Sequence, residues 1–400
     1  MEGREQRGLV IAATMRLQKN GDKWSVPSQS KIGTFYTVTV SGKATKCTCP
    51  DYEAHEETCK HGFAILFTIQ REETVYSTLP PVTETETIRV TYTQNWPAYN
   101  AAQTSEKTVV ASLLRGLCGG IQQPPQGRGR PRLPLCDVTF AAVMKVFTTV
   151  SGRRATSDIR DCQEKGQIAT TPHYNSIFNY LENPSLTPIL KALVEETSAP
   201  LKAIETSFAV DSSGFSTCVF QRWFDEKYGR KGGRQWVKVH LMTGVQTNVV
   251  TSVEITGPEV GDSGQLPGLL AKTAERFEIS EVSADKGYLS KKNMEAVEAI
   301  GAVPYISFKA GSVADNGCEI WRKMFHFYQF KRTEFLAHYH KRSNVETTFS
   351  MMKRKFGASI RSKTPVAQVN EILCKVICHN LSVLVHSIYE LGIQPTFWQD

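Results

Sequence analysis

The chain has 400 residues, long enough for two or three domains with a buried core. With 40% hydrophobic, 10% aromatic and 22% charged residues, it is not a disordered tail, a collagenous repeat or a small disulfide scaffold. A formal net charge of +8 suits a polyanionic partner without demanding one.

The first residues, Met1-Glu2-Gly3-Arg4-Glu5, are charged and show no apolar export core, so the ten cysteines are expected to be reduced thiols. Residues 1–71 read as a small β-rich module. Lys23-Trp24-Ser25-Val26-Pro27 and the run 34–40 have the β-branched and aromatic character of strands. Residues 72–134 read as a linker. Its first part, 72–112, is rich in Thr, Pro and Glu, and a Gly/Pro/Gln/Arg-rich stretch follows at 119–134. Between 115 and 160 there are eight Arg or Lys against two Asp.

Residues 135–204 carry helical signals and are the expected helical, DNA-binding region. Asp137 suits the N-cap of a helix 138–150, and Pro188 suits the first turn of a helix 187–197. Over 205–392, strands are predicted at 207–211, 217–222, 236–242, 249–255, 281–284 and 302–308. Helices are predicted at 266–276, 290–300, 335–355 and 366–391. Three strands followed by strand–helix alternation predict an α/β fold with a mixed sheet flanked by helices. The apolar segment 372–393 contains Lys375, His379, Asn380, His386 and Glu390, so it reads as a core helix and not a membrane span.

Cys47-Thr48-Cys49, then Cys59-Lys60-His61, offer three thiolates and one imidazole, a closed tetrahedral shell that favours Zn²⁺. His55, inside the intervening loop, is a rival ligand. The pattern resembles the SWIM zinc finger, C-x-C followed by C-x-H, with agreeing flanks at Trp24–Ser30 and Cys49-Pro50-Asp51-Tyr52. That resemblance implies DNA or protein binding and no catalysis. Arg128-Gly129-Arg130-Pro131-Arg132 is a narrow basic strip that resembles an AT-hook core and could enter an A·T minor groove; the alternative is a solvated basic linker.

On an ideal helix Tyr339, Arg342, Glu346 and Lys353 fall within roughly 60° of one another. Glu346 can hold a divalent cation there while Arg342 and Lys353 take phosphate oxygens; an ordinary Arg342–Glu346 surface pair is the alternative. Asp211 and Asp285 each follow a short apolar strand, at the carboxyl ends where ligands gather in α/β sheets. Three carboxylates meeting there would bind two Mg²⁺ ions that activate a nucleophile and stabilise a leaving oxygen. Asp262 is a rival for the middle carboxylate, although helix N-capping explains it.

The order Asp211, Asp285, Glu346 and the face Tyr339-x2-Arg342-x3-Glu346-x6-Lys353 resemble the DDE insertion-sequence transposases, in the branch carrying that signature. Asp285-x-Gly287-Tyr288 resembles the second-Asp motif of that branch. The resemblance implies an RNase H-like core with Asp211 on the first strand, Asp285 after the fourth and Glu346 on a late helix. It implies Mg²⁺- or Mn²⁺-dependent hydrolysis at transposon ends, then attack of the freed 3′-hydroxyls on target DNA. Tyr339, Arg342 and Lys353 would contact phosphates near the cut, and Trp223 and Trp236 are unassigned candidates for stacking an extruded base. The implied partner is double-stranded DNA, bound by a homo-oligomer with no membrane, and the expected location is the cytoplasm, on the nucleoid if the source is prokaryotic. Two rival readings are an RNase H-like nuclease that cuts without joining, and a non-catalytic DNA-binding descendant of a transposase.

Overall fold

A computed structural model of the protein describes residues 3–15, 17–29, 31, 33–42, 44–78, 95–129, 131–217, 236–314 and 318–398. They divide into two compact units: one within Met1–Tyr92, Lys309–Gly317 and Trp321–Phe330, the other within Thr93–Phe308, Cys318–Ile320 and Lys331–Asp400.

The first unit holds an antiparallel sheet of β1 (Gln18–Asn20), β2 (Lys23–Pro27), β3 (Phe35–Ser41) and β4 (Ala44–Cys47), in that order. Period-two alternation puts Trp24 and Val26 on one buried face, with Val38 directly opposite Trp24 and Cys47 opposite Val38. Ile11, Ala64 and Ile65, from helices Gly3–Thr14 and Lys60–Thr78, complete this small core.

The second unit is built on a mixed sheet in the order β7-β6-β5-β8-β9. β5 (Ser207–Ser216) runs antiparallel to β6 (Trp236–Gly244) and parallel to β8 (Glu281–Ala284); β7 (Val250–Thr256) flanks β6 and β9 (Val303–Ile306) flanks β8. The parallel steps need crossovers: helix Leu266–Ala274 lies between β7 and β8, and helix Lys291–Ala299 between β8 and β9. This is the mixed α/β sheet that the strand–helix alternation predicts.

The strand expected to stop at residue 211 continues to Ser216, so Asp211 lies mid-strand and not at a strand end. The Ser-Ser-Gly-Phe-Ser extension pairs with β6 throughout. Gly214 permits it, because a Cβ there would lie 2.7 Å from the Trp236 ring. Most of the strand expected at 217–222, and Trp223, lie outside the described residues.

Helix Trp96–Cys118 occupies part of the segment read as a connector. Val110, Leu114 and Leu117 recur at helical spacing and are fully buried. Asp137 is not an N-cap either. It sits in the first turn of helix Leu135–Phe147, buried, and its carboxylate accepts bonds from the Ala169 and Thr170 amides at 3.1 and 3.0 Å.

Helix Pro365–Leu391 has 27 residues and is long and apolar enough to cross a membrane by length and composition, yet it lies in the core. Asn380 stitches it in place: its side chain accepts from the Val250 amide and donates to the Val250 carbonyl and the Thr197 hydroxyl. Burial pushes the neighbouring His379 down to about 4, and its neutral ring donates to the Asn248 carbonyl at 2.8 Å.

Candidate functional site

In the first unit Cys47 closes β4, Cys49 precedes helix Pro50–His55, and Cys59 and His61 straddle the start of helix Lys60–Thr78. The ligand atoms of all four lie within 4.8 Å of one another, and all four residues are buried. His61 Nδ1 is 3.9 Å from both Cys47 Sγ and Cys59 Sγ, while its Nε2 is buried without a hydrogen-bond partner. Gly62 lets the helix start approach β4, since a Cβ there would lie 2.4 Å from Thr45 Oγ1. Thiol hydrogen bonding from Cys47 holds Cys59 well below the usual thiol range. Three soft sulfurs and one imidazole in a closed, buried shell suit Zn²⁺. The rival ligand His55 is exposed, and its ring donates to the Asp51 carbonyl instead.

In the second unit Asp211 and Asp285 sit on neighbouring parallel strands. Val210 pairs with Ala284, so the two aspartates follow at one level, where β8 ends and β5 continues. Asp211 Oδ1 accepts the Ser212 amide at 2.8 Å, and Asp285 Oδ1 accepts the Lys286 amide at 2.7 Å. Burial pushes the Asp211 carboxyl above the ordinary range. The Ser212 amide and the Arg342 charge oppose this, while the Glu346 and Asp285 charges add to it. Asp211 thus feels both of the other carboxylates and a cation at once.

The helix expected at 335–355 is not continuous. It comprises helix Arg332–Tyr339, a 3₁₀ turn His340–Arg342 and helix Ser343–Phe356. Three residues at 3.0 per turn rotate the following helix by about 60° relative to an unbroken one. The buried Glu281 anchors the turn, accepting from His338 Nδ1 at 2.5 Å and from Lys341 Nζ. Burial pushes the Glu281 carboxyl up, but these bonds outweigh it and the net displacement is downward.

Tyr339, Arg342 and Glu346 remain in contact across the turn, with the Arg342 guanidinium 5.6 Å from the centre of the Tyr339 ring, while Lys353 reaches β5. The Tyr339 hydroxyl lies 3.5 Å from Asp285 Oδ1, and Arg342 donates to Glu346 at 2.6 Å. Lys353 donates to Ser213 Oγ at 2.6 Å, with its ammonium over the Phe215 and Phe349 rings. Burial lowers the Lys353 pKa and raises that of Tyr339. Glu346 is exposed at the edge of the buried stripe of Val345, Phe349 and Met352. Among the described residues, only the Cys₃His group gathers three or more ligand side chains tightly enough for a single ion.

Asp262 is not a helix cap. No cap bond forms, and its carboxylate accepts from Ser212 Oγ and Lys238 Nζ, both at 3.0 Å. Lys238 matches its charge, whereas Asp285 has no ion pair with a described residue. Sequence reasoning missed Ser212, Ser213 and Lys238, and gave no role to Tyr288, a buried phenol held high by burial and by the charges of Asp211, Asp262 and Asp285. The only local signal was Asp285-x-Gly-Tyr, which places Tyr288 beside the second aspartate.

Arg128 and Arg132 are exposed on a loop closed by Gln126, whose side chain accepts the Arg132 amide at 3.1 Å; Arg130 lies outside the described residues. Trp236 is half-buried against Gly214. Residues 203–381, which include Asp211, Asp262, Glu281, Asp285 and Glu346, match the family model described as a transposase DDE domain. Residues 36–70 match that of the SWIM zinc finger. No solved structure matches the chain.

Proposed function

We propose that this chain, which carries a transposase DDE domain and a SWIM zinc finger, cuts DNA at transposon ends and joins the freed 3′-hydroxyls to target DNA. The observation that carries the reading is that Asp211, within the matched domain, feels the charges of Asp285, Glu346 and Arg342 at once. An RNase H-like core is supported by the sheet order, in which the first strand is central, the second is antiparallel to it, and the fourth and fifth run parallel on the other side.

Two like charges pressing on a partly buried Asp211 are the donor chemistry of a cation site, so Asp211, Asp285 and Glu346 would hold Mg²⁺ or Mn²⁺. Bound there, the metal would supply Lewis-acid activation of the attacking oxygen and neutralise the leaving one. The protein's own groups position the DNA. Arg342 presents a planar fork to a phosphate and rests on Glu346 without DNA. Lys353, desolvated against two rings and resting on Ser213, is a point charge for a second phosphate oxygen. Tyr339 offers a hydroxyl beside Asp285. Arg128, Arg130 and Arg132 would reach an A·T-rich minor groove, and the zinc module would read DNA or hold another copy in a homo-oligomer assembled on the ends.

Labelled DNA bearing the element's own ends, incubated with Mg²⁺, tests the reading. Cuts at the ends with joined products are expected from the wild type. Glu346→Gln should keep DNA binding and lose cleavage by more than about 100-fold. Cuts without joining would leave a nuclease, and undiminished nicking by the variant would remove Glu346 from the site.

A further inference from the structure

A cavity of about 380 Å³ opens in the second unit, away from the carboxylates, beside helix Leu135–Phe147 and the segment leading into helix Pro365–Leu391. Its wall includes Lys145, Gly152, Phe178, Glu182, Arg361 and Lys363. Lys145 projects from a helix whose other side chains are almost all core, and it is only 5% exposed. It nevertheless makes no hydrogen bond or ion pair with a described residue; its ammonium lies 6.0 Å from the centre of the Phe178 ring.

The Lys145 stem is buried while its ammonium opens into the cavity, where an entering anion can meet it. Lys145 and Arg361 also line an adjoining cavity of about 270 Å³. The acid there, Glu371, is buried and accepts the Arg361 and Ser362 amides, and its charge acts on the nearby Lys375. Lys375 in that second cavity is likewise occupied, donating to the Gly357 and Ser359 carbonyls. At the wall of the first cavity three cations meet one exposed carboxylate, Glu182, and the wall also includes Ser151-Gly152, which open helix Gly152–Glu164, and Ser362-Lys363, which precede helix Pro365–Leu391.

We propose that this cavity is a phosphate-binding site, in which the Lys145 ammonium takes a phosphoryl oxygen and Arg361 and Lys363 hold it at the rim. A phosphate spreads its charge over several oxygens and fits the guanidinium fork. The phosphate is either a phosphodiester of bound DNA or part of a free phosphate compound. The site does not depend on cleavage chemistry, and Glu346→Gln should leave it intact.

The test uses the full chain as wild type, Lys145→Met and Arg361→Gln. Melting temperature is followed with inorganic phosphate and with deoxyadenosine monophosphate, and affinity for a random-sequence duplex is followed across a salt series. If the source is DNA, each substitution weakens duplex binding and reduces the slope of log affinity against log salt by about one. If the source is free, phosphate or the nucleotide raises the melting temperature of the wild type and not of the variants, while duplex binding stays the same. Identical melting shifts and identical salt slopes in all three proteins would overturn the proposal. Should Lys145→Met fail to fold, Arg361→Gln, which alters an exposed side chain, decides by the same readouts.

Discussion

Asp211 is held between opposing influences. Burial and the neighbouring Glu346 and Asp285 disfavour its charge, while the Ser212 amide and Arg342 favour it, and the net displacement is upward. A carboxyl whose folded-state pKa is raised makes ionisation work against folding. That penalty is absent below the ordinary carboxylate range, grows as pH rises through it, and is complete above the folded-state value. Asp211→Asn should therefore melt at a higher temperature than the wild type near neutral pH without divalent metal, and the difference should vanish in acid. Added Mg²⁺ should stabilise the wild type and leave the variant unmoved. A variant less stable than the wild type at neutral pH would mean that the Ser212 and Arg342 contacts outweigh the crowding of like charges.

Among the elements, helix Pro365–Leu391 shows how a long apolar segment is placed by its few polar groups. Asn380 satisfies both the amide and the carbonyl of Val250 at the start of β7, and it also reaches Thr197 on helix Leu186–Ser198. Asn380→Leu keeps the volume but strands those buried groups, and should cost about 2–5 kcal/mol in denaturant unfolding. A loss under ~1 kcal/mol would mean that water or a shifted helix replaces the amide. The interrupted segment from Arg332 to Phe356 makes the converse point. An ideal helical wheel groups Tyr339, Arg342, Glu346 and Lys353, but the 3₁₀ turn, fastened to Glu281, sends Tyr339 toward Asp285 and Lys353 toward Ser213. The turn cannot be read from its own sequence, because its anchor lies on β8, 60 positions before Lys341.

In the whole molecule, the zinc module is the part most dependent on a bound ion, since its core is small and its four ligands close the sheet onto a helix. Cys59→Ser should reduce bound zinc from about one per chain to none and open residues 20–70 to limited proteolysis. Retained zinc with an intact protease pattern would refute the four-ligand assignment. This site was legible in the sequence because each ligand pair is two residues apart, so the spacing alone nearly defines the shell. The mixed sheet was also legible: β8 spans the predicted 281–284, and β6, β7 and the helices at 266, 291 and 365 begin within a residue of expectation. These features rest on periodicity and ligand spacing, which are properties of neighbouring residues. Contacts across the sheet and between helices decided the rest. They carried β5 past Asp211, paired Asp262 with Lys238 instead of a helix end, and left Lys145 buried at a cavity. Each depends on groups tens to hundreds of positions apart, whose meeting is set by packing and by the need to satisfy buried polar atoms, and no local pattern encodes that meeting.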